Sequence, residues 1–300
     1  MRNSTKWLLA LFGFLFVGGA GFMLLLVVLL VRDPDGDEVT GAGEKIGLIE
    51  LRGVIVSSEE TVRQFKKYRN DRSVKGILFR VDSPGGGVVA SQEIYREVRA
   101  TRLSGKPVVV SMGALAASGG FYVACGASRI VANPGTLTGS IGVISQFLEY
   151  DTLLHKIGVG VTTIKSGKLK DAGSPFRTMT PEDRRYFQDL MDGVHRQFID
   201  VVRQERHIAA DSLALLADGR VFTGEQALAA GLVDTLGSEE EAIGIAARLA
   251  GIPGEPSIVR ERKRRAALLD YLFGEAKIPD LFGMRQALLE EPLLQYRLPL

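Results

Sequence analysis

The sequence predicts an α/β protein held behind one N-terminal transmembrane helix, and three observations predict it. Residues 7–31, "WLLALFGFLFVGGAGFMLLLVVLLV", contain no charge, and about 20 apolar residues suffice to cross a bilayer. From residue 46 onward, short β-branched runs alternate with stretches of helical spacing, the pattern of parallel strands joined by crossover helices. Two glycine-rich turns, "DSPGGG" (82–87) and "AASGG" (116–120), stand where such strands hand over to helices, the positions at which open α/β sheets build sites.

The apolar run is read as an uncleaved anchor. The small residues "GGAG" (18–21) resemble a signal-peptide cleavage site, but the run continues well past them, whereas the apolar core of a signal peptide is about 7–15 residues. Arg2 and Lys6 precede the run, and Asp33, Asp35, Asp37 and Glu38 follow it. The positive-inside rule therefore keeps residues 1–6 in the cytoplasm and sends the rest outward. Residues 32–45, rich in Gly and Asp, read as a linker, and residues 46–250 as one α/β domain. Residues 251–300 form a tail without an assigned role.

Within the domain, "IGLIELRGVIV" (46–56) reads as a strand or strand pair, residues 58–69 as a helix and "VKGILFRVDS" (74–83) as a buried strand. "PGGG" breaks that strand, and "VVASQEIYREVRATRL" (88–103) has helical spacing. "KPVVVSMG" (106–113) reads as a third strand ended by Gly113, followed by a small-residue helix from about Ala117 and a short strand at 129–133. "VGVTTI" (159–164) is β-branched enough to predict a further strand. Thr180, Pro181, Glu182 and Asp183 open a long helix with a cap, a first-turn proline and acidic residues at its positive end. Thr223 caps a short helix ended by Gly231, and "SEEEAIGIAARLAG" (238–251) is another amphipathic helix. "IPGEPSIV" (252–259) is turn-prone. The basic cluster "RERKRR" (260–265) introduces leucine-rich pieces, read as a peripheral helix folded over a neighbour, with lipid-headgroup contact as the alternative.

Composition removes several classes of function. A net charge of +2 with no basic stripe argues against nucleic-acid binding. One cysteine, Cys125, cannot form an intramolecular disulfide framework and reads as a small buried hydrophobe on the helix after Ser118. Three histidines and one cysteine, widely scattered, offer no metal-ligand set, and no cofactor is suggested. "DSPGGG" lacks the Lys and Ser/Thr of a phosphate-binding loop, leaving an oxyanion hole or a plain tight turn.

Ser118, between small residues and a glycine pair, suits two roles equally: a nucleophile at a strand-to-helix turn or a helix cap. His155, His195 and His207 have no evident orienting carboxylate, which disfavours a Ser-His-Asp triad. A desolvated lysine can serve as base instead, and "IKSGKLKDAGSP" (164–175) carries Lys165, Lys168 and Lys170.

Taken together, "SMGALAASGGFYVACGASRIVANPGTLTGSIGV", "IKSGKLKDAGSPFRTMTPED" and "DGRVFTGEQALAAGLVDTLG" resemble the signal peptide peptidase A family over about residues 46–249. These are membrane-anchored serine peptidases of the wider Clp protease and crotonase superfamily. The resemblance implies a fold of repeated ββα units. It also implies Ser118 as nucleophile, Lys170 as general base, Gly86 and Gly119 as the oxyanion hole and Ser140 orienting the lysine amine. It further implies a ring- or dome-shaped homo-oligomer at the membrane and remnant signal peptides as substrates, with small or apolar residues at the cleavage position. Since such a base must be neutral, activity is expected to rise toward alkaline pH. A crotonase-like acyl-CoA enzyme and an inactive membrane scaffold are the alternatives.

Overall fold

The computed structural model describes residues 7, 13, 16, 18, 19, 21–23, 37–261 and 295–297. Two compact units emerge: Val39–Arg260 with Glu290–Leu300, and Met1–Glu38 with Glu261–Leu289. In the second unit, Trp7, Phe16, Phe22 and Met23 are helical and exposed, but most of the expected anchor lies outside the described residues. So do residues 262–265 of the basic cluster and the leucine-rich pieces after it. No helix among the described residues is long and apolar enough to cross a membrane.

The larger unit runs β1 (Glu38–Thr40), β2 (Lys45–Arg52), α1 (Glu59–Asn70), β3 (Val74–Ser83), β4 (Gly85–Gly87), α2 (Val88–Leu103), β5 (Val108–Ala117), α3 (Gly119–Ala124), β6 (Arg129–Ala132) and β7 (Leu137–Gly139). It continues through α4 (Asp151–Lys156), α5 (Pro181–Arg206), α6 (Ala210–Leu216), β8 (Val221–Thr223), α7 (Gly224–Ala229), β9 (Thr235–Leu236), α8 (Glu239–Leu249), β10 (Ser257–Arg260) and β11 (Gln295–Arg297). The main sheet has the order β1-β10-β2-β3-β5-β6-β9, with β7 paired to β5 and β8 to β7. Its central pairs are parallel, as crossover helices require.

The central strands are apolar throughout because both faces are covered. Along β3, Ile77, Phe79 and Val81 enter the larger core, while Leu78 points to the other face with Ile46, Val109, Ala242 and Ala246. The period of two thus feeds two cores from one strand. One core includes Phe65 and Tyr68 of α1, Ile94 and Val98 of α2 and Phe198 of α5; the other is closed by α8. Three capping boxes, at Thr180, Thr223 and Ser238, start α5, α7 and α8. Each satisfies backbone donors that the first helical turn leaves unpaired.

Three sequence expectations need correction. β5 does not stop at Gly113 but runs on to Ala117. The glycine is there for close approach: a Cβ at Gly113 would stand 2.6 Å from the Asp82 carboxyl carbon, and Asp82 Oδ1 accepts the Leu115 N–H at 3.1 Å. "VGVTTI" is not a strand but an exposed, irregular segment. β propensity reflects packing on a sheet, and among the described residues no strand pairs with it. The turn-prone 252–259 stretch contains the start of β10, which extends the sheet in parallel beside β2, Ser257 opposite Lys45.

Candidate active site

Three separated segments converge at the C-terminal ends of neighbouring parallel strands, where α/β folds characteristically build sites. Ser83 at the end of β3 lies opposite Ala116, and Ala117 at the end of β5 lies opposite Gly139 of β7. The Gly85–Gly87 turn, Ser118 and Ser140 follow directly after these ends. The structure therefore brings together Gly86, Ser118, Gly119 and Ser140.

Ser118 sits on the strand-to-helix turn with φ 54 and ψ −115. Non-glycine residues rarely adopt positive φ, and such strain costs on the order of 1–3 kcal/mol. The surroundings hold it there: Ser118 N–H donates to the Gly139 carbonyl at 2.7 Å, and Tyr122 N–H donates to the Ser118 carbonyl at 2.8 Å. Its side chain makes no cap hydrogen bond, which removes the helix-cap role considered for it. Its Oγ is buried and has no hydrogen-bond partner among the described residues. Ser140 is likewise at positive φ, 51, fixed by its N–H to the Arg220 carbonyl at 2.8 Å.

The glycine turn is braced from beneath. Ser83 Oγ donates to the Gly53 carbonyl at 2.6 Å and accepts the Gly85 N–H at 3.1 Å. Ser91 Oγ donates to the Gly87 carbonyl at 2.9 Å. Ile55 N–H donates to the Gly85 carbonyl, and Gly87 N–H donates to the Ile55 carbonyl, both at 2.8 Å. Successive residues of an extended chain present their polar groups to opposite edges. With Gly85 and Gly87 engaged on Ile55, the N–H of Gly86 therefore faces the other edge. Side chains are excluded here: a Cβ at Gly85 would lie 2.6 Å from the Gly119 nitrogen, and one at Gly86 2.2 Å from the Ile55 carbonyl oxygen.

Lys170 is not positioned by these strands. It lies in a turned, exposed loop after α4, its N–H bonded to the Gly167 carbonyl at 3.1 Å. Its two neighbours are committed elsewhere: Lys165 pairs with Asp171 at 2.6 Å and Lys168 with Glu182 at 2.5 Å. Lys170 forms no ion pair or side-chain hydrogen bond among the described residues. Arg177 anchors the loop to the start of α5 through Asp171 at 3.0 Å and Asp183 at 2.5 Å. The Arg177 hydrogen bond holds the carboxyls of Asp171 and Asp183 well below the usual carboxylate range. His155 and His207 lie at the ends of α4 and α5, and the ring of His195 is taken by the Ile141 carbonyl at 3.1 Å.

Sequence reasoning missed Ser83, Ser91 and Ile55, which hold the glycine turn, and Tyr296, whose carbonyl oxygen lies beside Gly85 and Gly119. Ser91, one helical turn after Gly87, carried a usable signal in its spacing; a residue as remote as Tyr296 carried none.

The model of peptidase family S49 matches residues 100–253. A Synechocystis sp. protein named as a protease is 45% identical over 215 residues, 71% of this chain and 77% of that protein. An Enterococcus faecium protein named as a signal peptide peptidase SppA is 36% identical over 219 residues, 69% of this chain and 64% of that protein. The chloroplastic serine protease SPPA of Arabidopsis thaliana is 34% identical over 231 residues, 76% of this chain but 34% of that longer protein.

Proposed function

The chain belongs to peptidase family S49, the signal peptide peptidase A family, and on that premise we propose that it is a membrane-anchored Ser-Lys endopeptidase degrading remnant signal peptides. That it is a serine-type protease follows from the family; the dyad, the anchor and the substrate are the proposal. The carrying observation is Ser118: a strained residue at a strand-to-helix turn whose Oγ is left without a partner. Strain retained at an unpartnered polar group is a mark of a reactive site.

In the mechanism, Ser118 Oγ attacks the scissile carbonyl while the Lys170 amine accepts its proton. The N–H groups of Gly86 and Gly119 stabilise the tetrahedral oxyanion. Lys170 then returns the proton to the leaving amine, and water hydrolyses the acyl-enzyme. Ser140, brought beside Ser118 through Gly139, is suited to orient the base. The freedom of Lys170 from ion pairs, against the engagement of Lys165 and Lys168, supports its choice as base.

Lys170 is exposed in the single chain, and a lysine base works when water is withdrawn from it. Leu153, Ile157, Val161, Ile164 and Phe176, on α4 and the segment carrying Lys170, are also exposed. Exposed apolar side chains concentrated on one segment in this way suit an interaction surface. A homo-oligomer covering this segment accounts for both features. The uncharged apolar run at 7–31 is long enough for the anchor, which leaves the catalytic domain on the outer side of the membrane.

Labelling with a fluorophosphonate probe tests the dyad. The native chain is expected to label at Ser118, Ser118→Ala not at all, and Lys170→Ala only slowly, while Lys168→Ala labels and cleaves normally. Near-normal peptide cleavage by Lys170→Ala would overturn the base assignment. Mass-spectrometric mapping of products from a mixture of signal peptides, with Ser118→Ala as control, tests the substrate class.

A further inference from the structure

The loop that carries Lys170 is closed by one guanidinium. Arg177 Nε donates to Asp171 Oδ2 and Arg177 Nη2 to Asp171 Oδ1, each at 3.0 Å. This two-pronged pairing is the one a planar guanidinium makes with a carboxylate. Nη2 also donates to the Asp171 carbonyl at 3.1 Å, and Nη1 to Asp183 Oδ2 at 2.5 Å and to the Thr178 carbonyl at 3.2 Å. From the other side, Lys165 Nζ donates to Asp171 Oδ1 at 2.6 Å and to the Lys168 carbonyl at 3.1 Å. The Asp171 and Asp183 side chains are thereby enclosed, 11% and 3% exposed, although the loop around them is open. Lys170 directly precedes Asp171, and its backbone is wound into the same turns. Lys170 N–H donates to the Gly167 carbonyl, Ala172 N–H to that of Leu169 and Ser174 N–H to that of Asp171, each at 3.1 Å.

The charges of the loop cancel in sets. Arg177 and Lys165 offset Asp171 and Asp183, and Lys168 offsets Glu182, which leaves Lys170 as the cation of this loop without a counter-charge among the described residues. The elements packed on the loop bring further charges. Tyr150 N–H donates to the Pro175 carbonyl at 2.7 Å at the start of α4, and that helix carries Lys156 and the Asp151–His155 pair at 3.4 Å. Glu149 Oε1 accepts the Met179 N–H at 2.8 Å, and Arg184 and Arg185 are exposed near the start of α5. A carboxylate close to a lysine favours its charged form, whereas a base must be neutral to accept a proton. Asp171 is the carboxylate adjacent to Lys170 in the chain, and it is the one that two cations engage.

We propose that Arg177 is a positioning residue for the base: its fork on Asp171 and Asp183 fixes the loop about Lys170 and, with Lys165, offsets the carboxylate charge beside the amine, so that a neutral amine stands ready for the serine proton. The inference rests on Lys170 as base. It divides the part played by Arg177 into two. Its charge sets the pH at which the base is ready, and its fork sets where the base stands. Lysine in its place keeps the first and loses the second, since an ammonium is a point charge. Glutamine loses both. Asparagine in place of Asp171 acts in the opposite sense on charge, leaving Lys165 and Arg177 unopposed beside the amine.

The test follows kcat/KM of the full-length chain for a fluorogenic signal-sequence peptide from about pH 7.5 to 10.5, largely above the range in which histidine titrates. Arg177→Gln is expected to move the alkaline inflection up by about half a unit or more and to lower the plateau above it. Asp171→Asn is expected to move the inflection down. Arg177→Lys should hold the native inflection and lose about tenfold or more in the plateau, the scale of a misplaced catalytic group. Arg203→Gln, which removes the same charge from the exposed Arg203–Asp200 pair of α5, should leave the profile unchanged. General loosening of the fold lowers the rate at every pH and does not move the inflection in opposite directions in two variants. Where Arg177→Gln does not fold, Asp171→Asn decides: a lowered inflection supports the inference, and an unmoved or raised one overturns it. Inflections that stay native, or move the same way, in folded Arg177→Gln and Asp171→Asn also overturn it. Lys170→Ala separates the two levels. If that variant is inactive, such results refute the role of Arg177 alone; if it cleaves with the native profile, the base assignment falls and the inference with it.

Discussion

Ser118 combines two costs, a positive φ and a buried hydroxyl without a partner, and the backbone around it is arranged to sustain both. Gly86 shows how little room the arrangement leaves. A methyl group there would sit 2.2 Å from the Ile55 carbonyl oxygen, which is backbone and cannot swing aside. Gly86→Ala is therefore expected to displace the turn and lower kcat by about 10²-fold or more, the scale of losing one oxyanion donor; steady-state kinetics with a matched circular dichroism spectrum checks it. Cys125 shows the opposite case, a nucleophilic atom made inert. Burial pushes its thiol up to about 12, and reactivity requires the thiolate. Native protein at pH 8 is expected to resist iodoacetamide, with alkylation appearing only after denaturation. The sequence marked Ser118 as a residue of interest but could not tell nucleophile from cap. The missing cap hydrogen bond, a fact of side-chain orientation, removes the cap.

Among the elements, the loop carrying Lys170 depends on a small ionic anchor rather than on a core. Arg177 bridges Asp171 and Asp183, and Asp183 also accepts the Thr180 N–H at 3.0 Å in the capping box of α5. The folded Asp171 carboxyl titrates at about 2, chiefly through its hydrogen bond from Arg177. A depressed carboxylate stabilises above its unfolded pKa and loses that contribution as pH falls through the folded value. Hydrogen-exchange protection of residues 165–178 is thus expected to hold down to about pH 4 and to vanish between about pH 4 and 2. Thr180→Ala removes one cap contact and is expected to cost about 1 kcal/mol in urea unfolding. Elements with local signals were legible in the sequence: β3 and α2 occupy the residues that their patterns predicted, and Thr180 and Thr223 cap as predicted, while the cap at Ser238 emerged only from the structure. "VGVTTI" failed as a strand because β-branching expresses a fit to a sheet, and no sheet edge is offered to it among the described residues.

At the level of the whole molecule, the parallel sheet places three distant turns side by side, while the loop carrying Lys170 stays open to solvent. Ile164 is 96% exposed, and in the proposed homo-oligomer it is a side chain of this loop that a neighbouring subunit would cover. Ile164→Asp is expected to weaken self-association in analytical ultracentrifugation and to lower kcat, with little change in Tm of the isolated chain. A variant that remains assembled and fully active would argue against a covered loop.

The amino-acid order alone was enough for the α/β class, the family, most helices and strands, and the segments that carry Ser118, Gly86, Ser140 and Lys170. Those features are written in local periodicity, caps and contiguous motifs. The tertiary structure alone decided that β5 passes Gly113, that β10 extends the sheet, and that Gln295–Arg297 returns to lie against β4. A strand of three residues has no periodicity of its own to read. Its place is set by backbone hydrogen bonds to Gly85–Gly87 and Ile144 and by a ring buried between Tyr122 and Phe198, partners far away along the chain.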